Sequence, residues 1–359
     1  MNLNNGSKLA ALALLMATGG AFAQSKKPVS SSKEKKPIVA SRSQGDLLPV
    51  DANVIIGHLP NGLTYYIRKN TQPKNRAELY LVNKAGSILE TDEQRGLAHF
   101  TEHMAFNGTR DFPKNDLVNF LQKAGVKFGA DLNAYTSFDE TVYQLPLPTD
   151  SLNVFKKGFT ILANWAGMVS FDSKEIDSER GVVLEEERLR GKNAGERMQR
   201  QIFPVLLNNS RYAERLPIGK EEILKNFKPE TIKAFYHDWY RPDLQAVIAV
   251  GDFDPKQVEE LIKQNFAELK NPAKEKPRLV YQVPSTAGTA VKIVTDKEYP
   301  YNVVQIYVKH PSTVSKTKNQ YLQDIRVNLF NQMMNARMAE LLQNLIRRIY
   351  LHRQATAVF

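Results

Sequence analysis

Apolar residues in this chain recur first with the period of strands and then with the period of helices, several times over. An apolar run at 54–58, the turn Pro60-Asn61-Gly62 and a second run at 63–68 predict a two-stranded hairpin. Further strands are expected at 77–83, 131–136 and 140–145, and a fully apolar one at 244–250. Helices are expected at 93–106, 113–124, 150–169, 172–190, 229–240 and 255–269. Asn107-Gly108 supplies the stop of the first of these, and Asp172 with Glu175 three residues on supplies the N-cap of the fourth. A Pro/Lys-rich break at 271–277 and a Pro-Ser-Thr-Ala-Gly stretch at 284–288 come next. Two more apolar runs follow, at 291–295 and 303–308, and then a helix at 316–342. Strands followed by a helix echo the opening of the first domain. The expected fold is α+β, a mainly antiparallel sheet flanked by helices, followed by a partial second copy.

Composition changes this picture at the N-terminus. Lys8, the apolar run 9–16 and Ala21-Phe22-Ala23 read as a secretory signal over 1–23. The run is shorter than the ~20 residues that span a bilayer, so no transmembrane anchor is expected and export to the periplasm is. The chain has no cysteine, which excludes disulfides, thiolate metal sites, a cysteine nucleophile and a bacterial lipid anchor. Of the net charge of +11, residues 24–47 contribute +4, a basic, Ser-rich leader expected to be disordered. Basic residues are nowhere interleaved with aromatics in the manner of a nucleic-acid surface, so no nucleic-acid partner is expected. The expected organisation is signal 1–23, leader 24–47, a catalytic domain 48–270, linker 271–288 and an incomplete second domain 289–359.

The chemistry centres on His99-Phe100-Thr101-Glu102-His103. A helix turns roughly 100° per residue, so His99 and His103 face one way, one turn apart. That is the spacing at which two ring nitrogens reach one tetrahedral zinc ion. Glu102 projects beside them, where a carboxylate can take a proton from a zinc-bound water. The order is H-x-x-E-H, the inverse of the H-E-x-x-H metallopeptidase motif. A catalytic zinc needs a third protein ligand. The expected helix 172–190 offers Glu175, Glu179, Glu185, Glu186 and Glu187, most of which belong to a charged solvent face. Glu179 and Glu186 lie seven apart on one face, so one can bind the metal while the other orients a ligand. Spacing leaves open which does which.

These residues resemble the pitrilysin/insulinase family of zinc metallopeptidases, the inverzincins. The likeness includes His99-Phe100-Thr101-Glu102-His103-Met104-Ala105-Phe106-Asn107-Gly108-Thr109, Leu132-Asn133-Ala134-Tyr135-Thr136 and Glu179-Arg180-Gly181-Val182-Val183-Leu184-Glu185-Glu186. Arg215-Leu216-Pro217-Ile218-Gly219 and Phe235-Tyr236-His237-Asp238-Trp239-Tyr240-Arg241-Pro242 continue it. It runs from about residue 50 to 340, most like exported bacterial members, and does not continue through 345–359. The resemblance implies Zn2+ held by His99, His103 and Glu186, with Glu102 as general base and Glu179 as the catalytic support beside it. It implies that Asn133 and Ala134 belong to an edge strand on which an extended substrate adds as a further strand. Read without the resemblance, Asn133-Ala134 is only a strand end near a turn.

The function implied is a zinc endopeptidase acting on peptides or unfolded segments. Family members build a chamber from four domains of one fold, in one long chain or two shorter ones. A C-terminally truncated chain is therefore expected here, with a second chain as possible supplier of the rest. The alternative is a non-catalytic fragment or subunit that needs the missing half.

Overall fold

A computed structural model describes residues 46–126, 133–311 and 314–344. The expected signal over 1–23 and nearly all of the leader lie outside the described residues. The chain divides into two compact units, Asp51–Pro300 and a second made of 1–50 with 301–359.

The larger unit is built on one six-stranded sheet of β1 (Val54–His58), β2 (Thr64–Lys69), β3 (Arg76–Asn83), β4 (Asn133–Thr136), β5 (Thr141–Pro148) and β6 (Gln245–Gly251), in the order β1-β2-β6-β3-β5-β4. Every neighbouring pair is antiparallel except β2 with β6, which is parallel. The hairpin expected around Asn61-Gly62 forms. Leu59 and Leu63 close it, with Gly62 at φ 96°, a left-handed position that a three-residue loop requires.

Alternation along the strands decides which face is buried. Leu79, Leu81, Leu145, Leu147, Val247 and Ala249 point into the core, while Tyr80, Gln144 and Ile248 on the opposite face are half-buried. Nine helices accompany the sheet among the described residues, α1 (Leu97–Met104), α2 (Asp116–Lys123), α3 (Leu152–Gly167), α4 (Ser173–Gly191), α5 (Ala194–Leu206), α6 (Arg211–Glu214), α7 (Glu221–Asn226), α8 (Pro229–Trp239) and α9 (Pro255–Phe266), and α1, α3 and α9 pack on its strands. Phe155, Phe159, Leu162 and Trp165 of α3 and Val258, Ile262 and Phe266 of α9 fill the space over the strands. Asp172 caps α4 as its sequence promised, accepting bonds from Lys174 N and Glu175 N. Helices α5, α6 and α7 were not anticipated.

Two expectations need correction. The helix expected over 93–106 starts only at Leu97, because Gly96 takes φ 101° and residues 92–94 form a separate 3-10 turn. The apolar runs at 291–295 and 303–308 form no strands, and Val291, Ile293 and Val304 are 80%, 84% and 91% exposed. A β-branched run becomes a strand only where a neighbouring strand completes its backbone hydrogen bonds.

The second unit contains α10 (Lys318–Asn344). Thr317 and Gln320 exchange side-chain-to-backbone bonds of 3.0 and 3.3 Å at its start, a capping box. Among the described residues no helix is long and apolar enough to cross a membrane.

Candidate metal centre

Helix α1 is only eight residues long, and all but His103 are buried. Leu97, Phe100 and Met104 anchor it in the core. Gly96, which precedes it, packs backbone to backbone against Gly219; a Cβ on Gly219 would come within 2.4 Å of Gly96 Cα. No local side chain caps this helix. Instead the buried Glu90 places Oε1 at its N-terminus, accepting from Gly96 N at 3.0 Å and Ala98 N at 2.8 Å. At the other end Trp165 Nε1 donates to Ala105 O at 2.9 Å. A short helix held at both ends by residues outside it presents His99, Glu102 and His103 in fixed directions.

Helix α4 crosses beside it. Ile176 and Val183 are its only fully buried residues among those described, and Glu179 and Glu186 each follow one of them by three positions. Both glutamates are therefore drawn to the half-buried edge of α4, facing the histidines. Of the other candidates on this helix, Glu185 pairs with Arg188 on the surface and Glu187 binds Arg200 Nη1 at 2.7 Å.

His99 Nε2, His103 Nε2 and Glu186 Oε2 form a triangle with sides of 3.3, 3.5 and 3.6 Å. Zinc bonds of 2.0–2.2 Å in tetrahedral directions put neighbouring donor atoms roughly 3.3–3.6 Å apart. The residues present fit such an ion, and they are the one group of three His, Asp or Glu residues among the described residues that converges in this way. Two nitrogens and one oxygen leave a fourth position, the pattern of a catalytic rather than a structural site.

The residues around the triangle fix its members. Glu179 Oε1 accepts from His103 Nδ1 at 2.7 Å, which directs the lone pair of Nε2 into the triangle. Glu179 Oε2 accepts from Asn107 Nδ2 at 2.6 Å. Arg190 holds Glu186 Oε1 with bonds of 2.7 and 3.0 Å, leaving Oε2 for the histidines. Thr136 Oγ1, from β4, donates to Glu102 Oε2 at 2.5 Å.

Charge is distributed unevenly among these groups. Burial and the neighbouring His103 push His99 down to about 4, which keeps its imidazole neutral at physiological pH. Burial also opposes charge on His103, but its bonds to Glu179 and Glu186 outweigh that and raise it to about 9, so its Nε2 offers a lone pair only once a metal displaces that proton. The His103 bond lowers Glu186 to about 2. Burial works against the charge of Glu179, yet the bond from His103 still leaves its carboxyl below the usual range. Burial raises Glu102 to about 7, with the Thr136 bond pulling the other way.

Asn133 and Ala134 begin β4, the edge strand, opposite Gln144 and Tyr143 of β5. Asn133 is exposed and Ala134 half-buried. They share a strand with Thr136 and so with the residue that touches Glu102. Reading the sequence missed Thr136, Asn107, Arg190 and Glu90 as parts of the site. Arg190 had a legible signal, four residues after Glu186 on one helix. For Glu90 and Thr136 no local pattern pointed to the site.

Comparison with known proteins places this arrangement among peptidases. Residues 65–214 match the family model described as insulinase, peptidase family M16, and residues 226–350 match that of the peptidase M16 inactive domain. A zinc protease PQQL-like protein of Arabidopsis thaliana is 39% identical over 284 residues, covering 79% of this chain and 30% of its own length. The probable zinc protease PqqL of Escherichia coli is 36% identical over 298 residues, covering 83% of this chain and 32% of its own. The crystal structure of the first half of the periplasmic protease PqqL from Escherichia coli superposes with a TM-score of 0.73 at 34% identity, covering 83% of this chain and 63% of that one. The chain thus spans about a third of the length of the curated relatives it matches.

Proposed function

This chain belongs to the insulinase family, peptidase family M16, and from that premise we propose that its larger unit hydrolyses peptide bonds with zinc held by His99, His103 and Glu186. The observation that carries this reading is the donor triangle of 3.3, 3.5 and 3.6 Å, with a carboxyl raised to about 7 beside it. Bound there, zinc supplies a Lewis acid that polarises a peptide carbonyl and acidifies water.

The remaining work falls to side chains. Glu102 is the proton carrier: Thr136 occupies its Oε2, so Oε1 takes the proton of the attacking water and returns it to the leaving amine nitrogen. Its burial beside the donor triangle, with one oxygen fixed by Thr136, suits it to both halves of that transfer. Glu179 keeps His103 in the tautomer that offers Nε2. Substrate joins β4 at Asn133 and Ala134 as an added strand, held by backbone bonds that read extended shape more than sequence. Short peptides and unfolded segments are the substrates this implies. The compartment is the periplasm, as for the Escherichia coli protease it resembles.

The test is zinc content and cleavage of a quenched, unstructured peptide by the purified chain and by Glu102→Gln. We expect both to bind zinc and the variant to lose about 10²–10⁴ of the rate, the usual contribution of a general base. Zinc in both with cleavage by neither would favour the second reading, a metal-binding stretch that cuts only with the rest of its relatives' length. Absence of zinc from both would overturn the ligand assignment.

A further inference from the structure

We propose that Asn107 is a positioning residue for the metal centre, acting through Glu179 on the ring of His103. This rests on the zinc reading above and extends the support of the site by one residue. A carboxylate only accepts hydrogen bonds, so the side-chain nitrogen of Asn107 must be the end that faces Glu179. Glu179 is then held at both oxygens, Oε1 by His103 Nδ1 at 2.7 Å and Oε2 by Asn107 Nδ2 at 2.6 Å. With one oxygen held, a carboxylate still turns about its terminal torsion, whose energy profile is broad. With both held it cannot, and the direction of the Nδ1 bond fixes the plane of the imidazole.

Asn107 has a rigid base for this task. Its backbone N–H bonds Met104 O at 3.1 Å in the turn that ends α1. The preceding Phe106 packs edge-on against Trp165, 5.2 Å between ring centres, and Trp165 bonds Ala105 O. The amide therefore approaches α4 from the same short helix that carries the histidines. Asn107 and His103 are one turn apart on α1 and its extension, so a single side chain of α4 is gripped from two successive turns. The link between the two helices and the orientation of the ligand are one hydrogen-bonded unit.

The experiment compares the full chain with Asn107→Leu, which keeps the shape and removes the donor, and with Asn107→Gln, which keeps an amide. Zinc affinity is measured by competition with a chromophoric chelator, and thermal midpoints are taken on the chelator-treated proteins. Outer-shell changes of this kind cost about 10–100-fold in metal affinity. We expect Asn107→Leu to bind zinc at least tenfold more weakly, a loss larger than any fall in its metal-free midpoint accounts for, and Asn107→Gln to recover most of the affinity. Wild-type affinity in Asn107→Leu would overturn the proposal. So would equal losses in both variants, or a loss matched by a fallen midpoint, since these report packing rather than the amide. No zinc in the wild-type chain would overturn the zinc reading and this inference with it, a result distinct from the others.

Discussion

Helices α1 and α4 each bring functional residues to one site, and they are held there by opposite means. Seven of the eight residues of α1 are buried, and its ends are tied to Glu90 and Trp165. Of the 19 residues of α4, only Ile176 and Val183 are buried, and the rest are half-buried or exposed. The first helix is short and marginal alone, since isolated helices below ~12–15 residues scarcely form in water. The core therefore defines it. The second is long and capped by its own sequence, but its rotation about the axis rests on two aliphatic contacts and a few polar clamps. The comparison teaches that a motif can be exact in sequence on one helix while its completion depends on how another helix docks.

The largest expected effect comes from removing what α4 contributes. Glu186→Ala takes away one corner of the triangle while leaving α1 intact. Its loss of zinc affinity should exceed the 10–100-fold typical of outer-shell changes, measured by chelator competition. An affinity within tenfold of wild type would mean that α4 supplies its ligand from another residue.

A smaller effect is expected from loosening the docking of α4. Arg180 donates to Leu224 O at 2.8 Å and Phe227 O at 2.5 Å, and its guanidinium lies 3.9 Å from the centre of the Phe227 ring. Hydrogen bonds from a charged donor contribute about 1.5–3 kcal/mol each, and the ring contact adds of the order of 1 kcal/mol. Arg180→Met should lower stability by about 4–7 kcal/mol in urea unfolding, the sum of those contributions, and weaken zinc binding as well. Unchanged zinc affinity at reduced stability would show that the two ends of α4 move independently.

The smallest effect tests the buried end of α1. Burial raises the Glu90 carboxyl from 4.5 to about 8, with the bonds from Ala98 and Gly96 pulling the other way. Between those pH values the folded chain keeps a proton that the unfolded chain has lost, so stability falls as pH rises through the window and is flat outside it. Glu90→Gln keeps an acceptor oxygen for both N–H groups but cannot titrate. Between pH 5 and pH 9 wild type should lose about 4 kcal/mol that the variant keeps, so the variant's thermal midpoint should gain by about 8–16 °C, at about 2–4 °C per kcal/mol for a unit of this size. A constant difference between the two would mean that Glu90 titrates normally.

The parts of this molecule legible in its sequence are those whose geometry is set by neighbours along the chain. The spacing of His99, Glu102 and His103 is a property of any helix. The Asn61-Gly62 hairpin and the Asp172 cap follow from what those residues do to local dihedrals and N–H groups. Family resemblance implied Glu186 rather than Glu179 as the ligand, something that spacing had left open, and Glu186 is the one that joins the two histidines in the donor triangle. The true start of α1 was decided by the contact of Gly96 with Gly219, two glycines 123 positions apart. Glu90, Thr136 and Asn107 entered the site through contacts with elements that the local pattern does not connect to them. The apolar runs at 291–295 and 303–308 look like strands one residue at a time and form none. Local periodicity is written in the torsions of consecutive residues, whereas burial and hydrogen-bond partners depend on which distant groups arrive. The sequence by itself determined the two-histidine motif, and the packing of α1 against α4 decided which groups surround it.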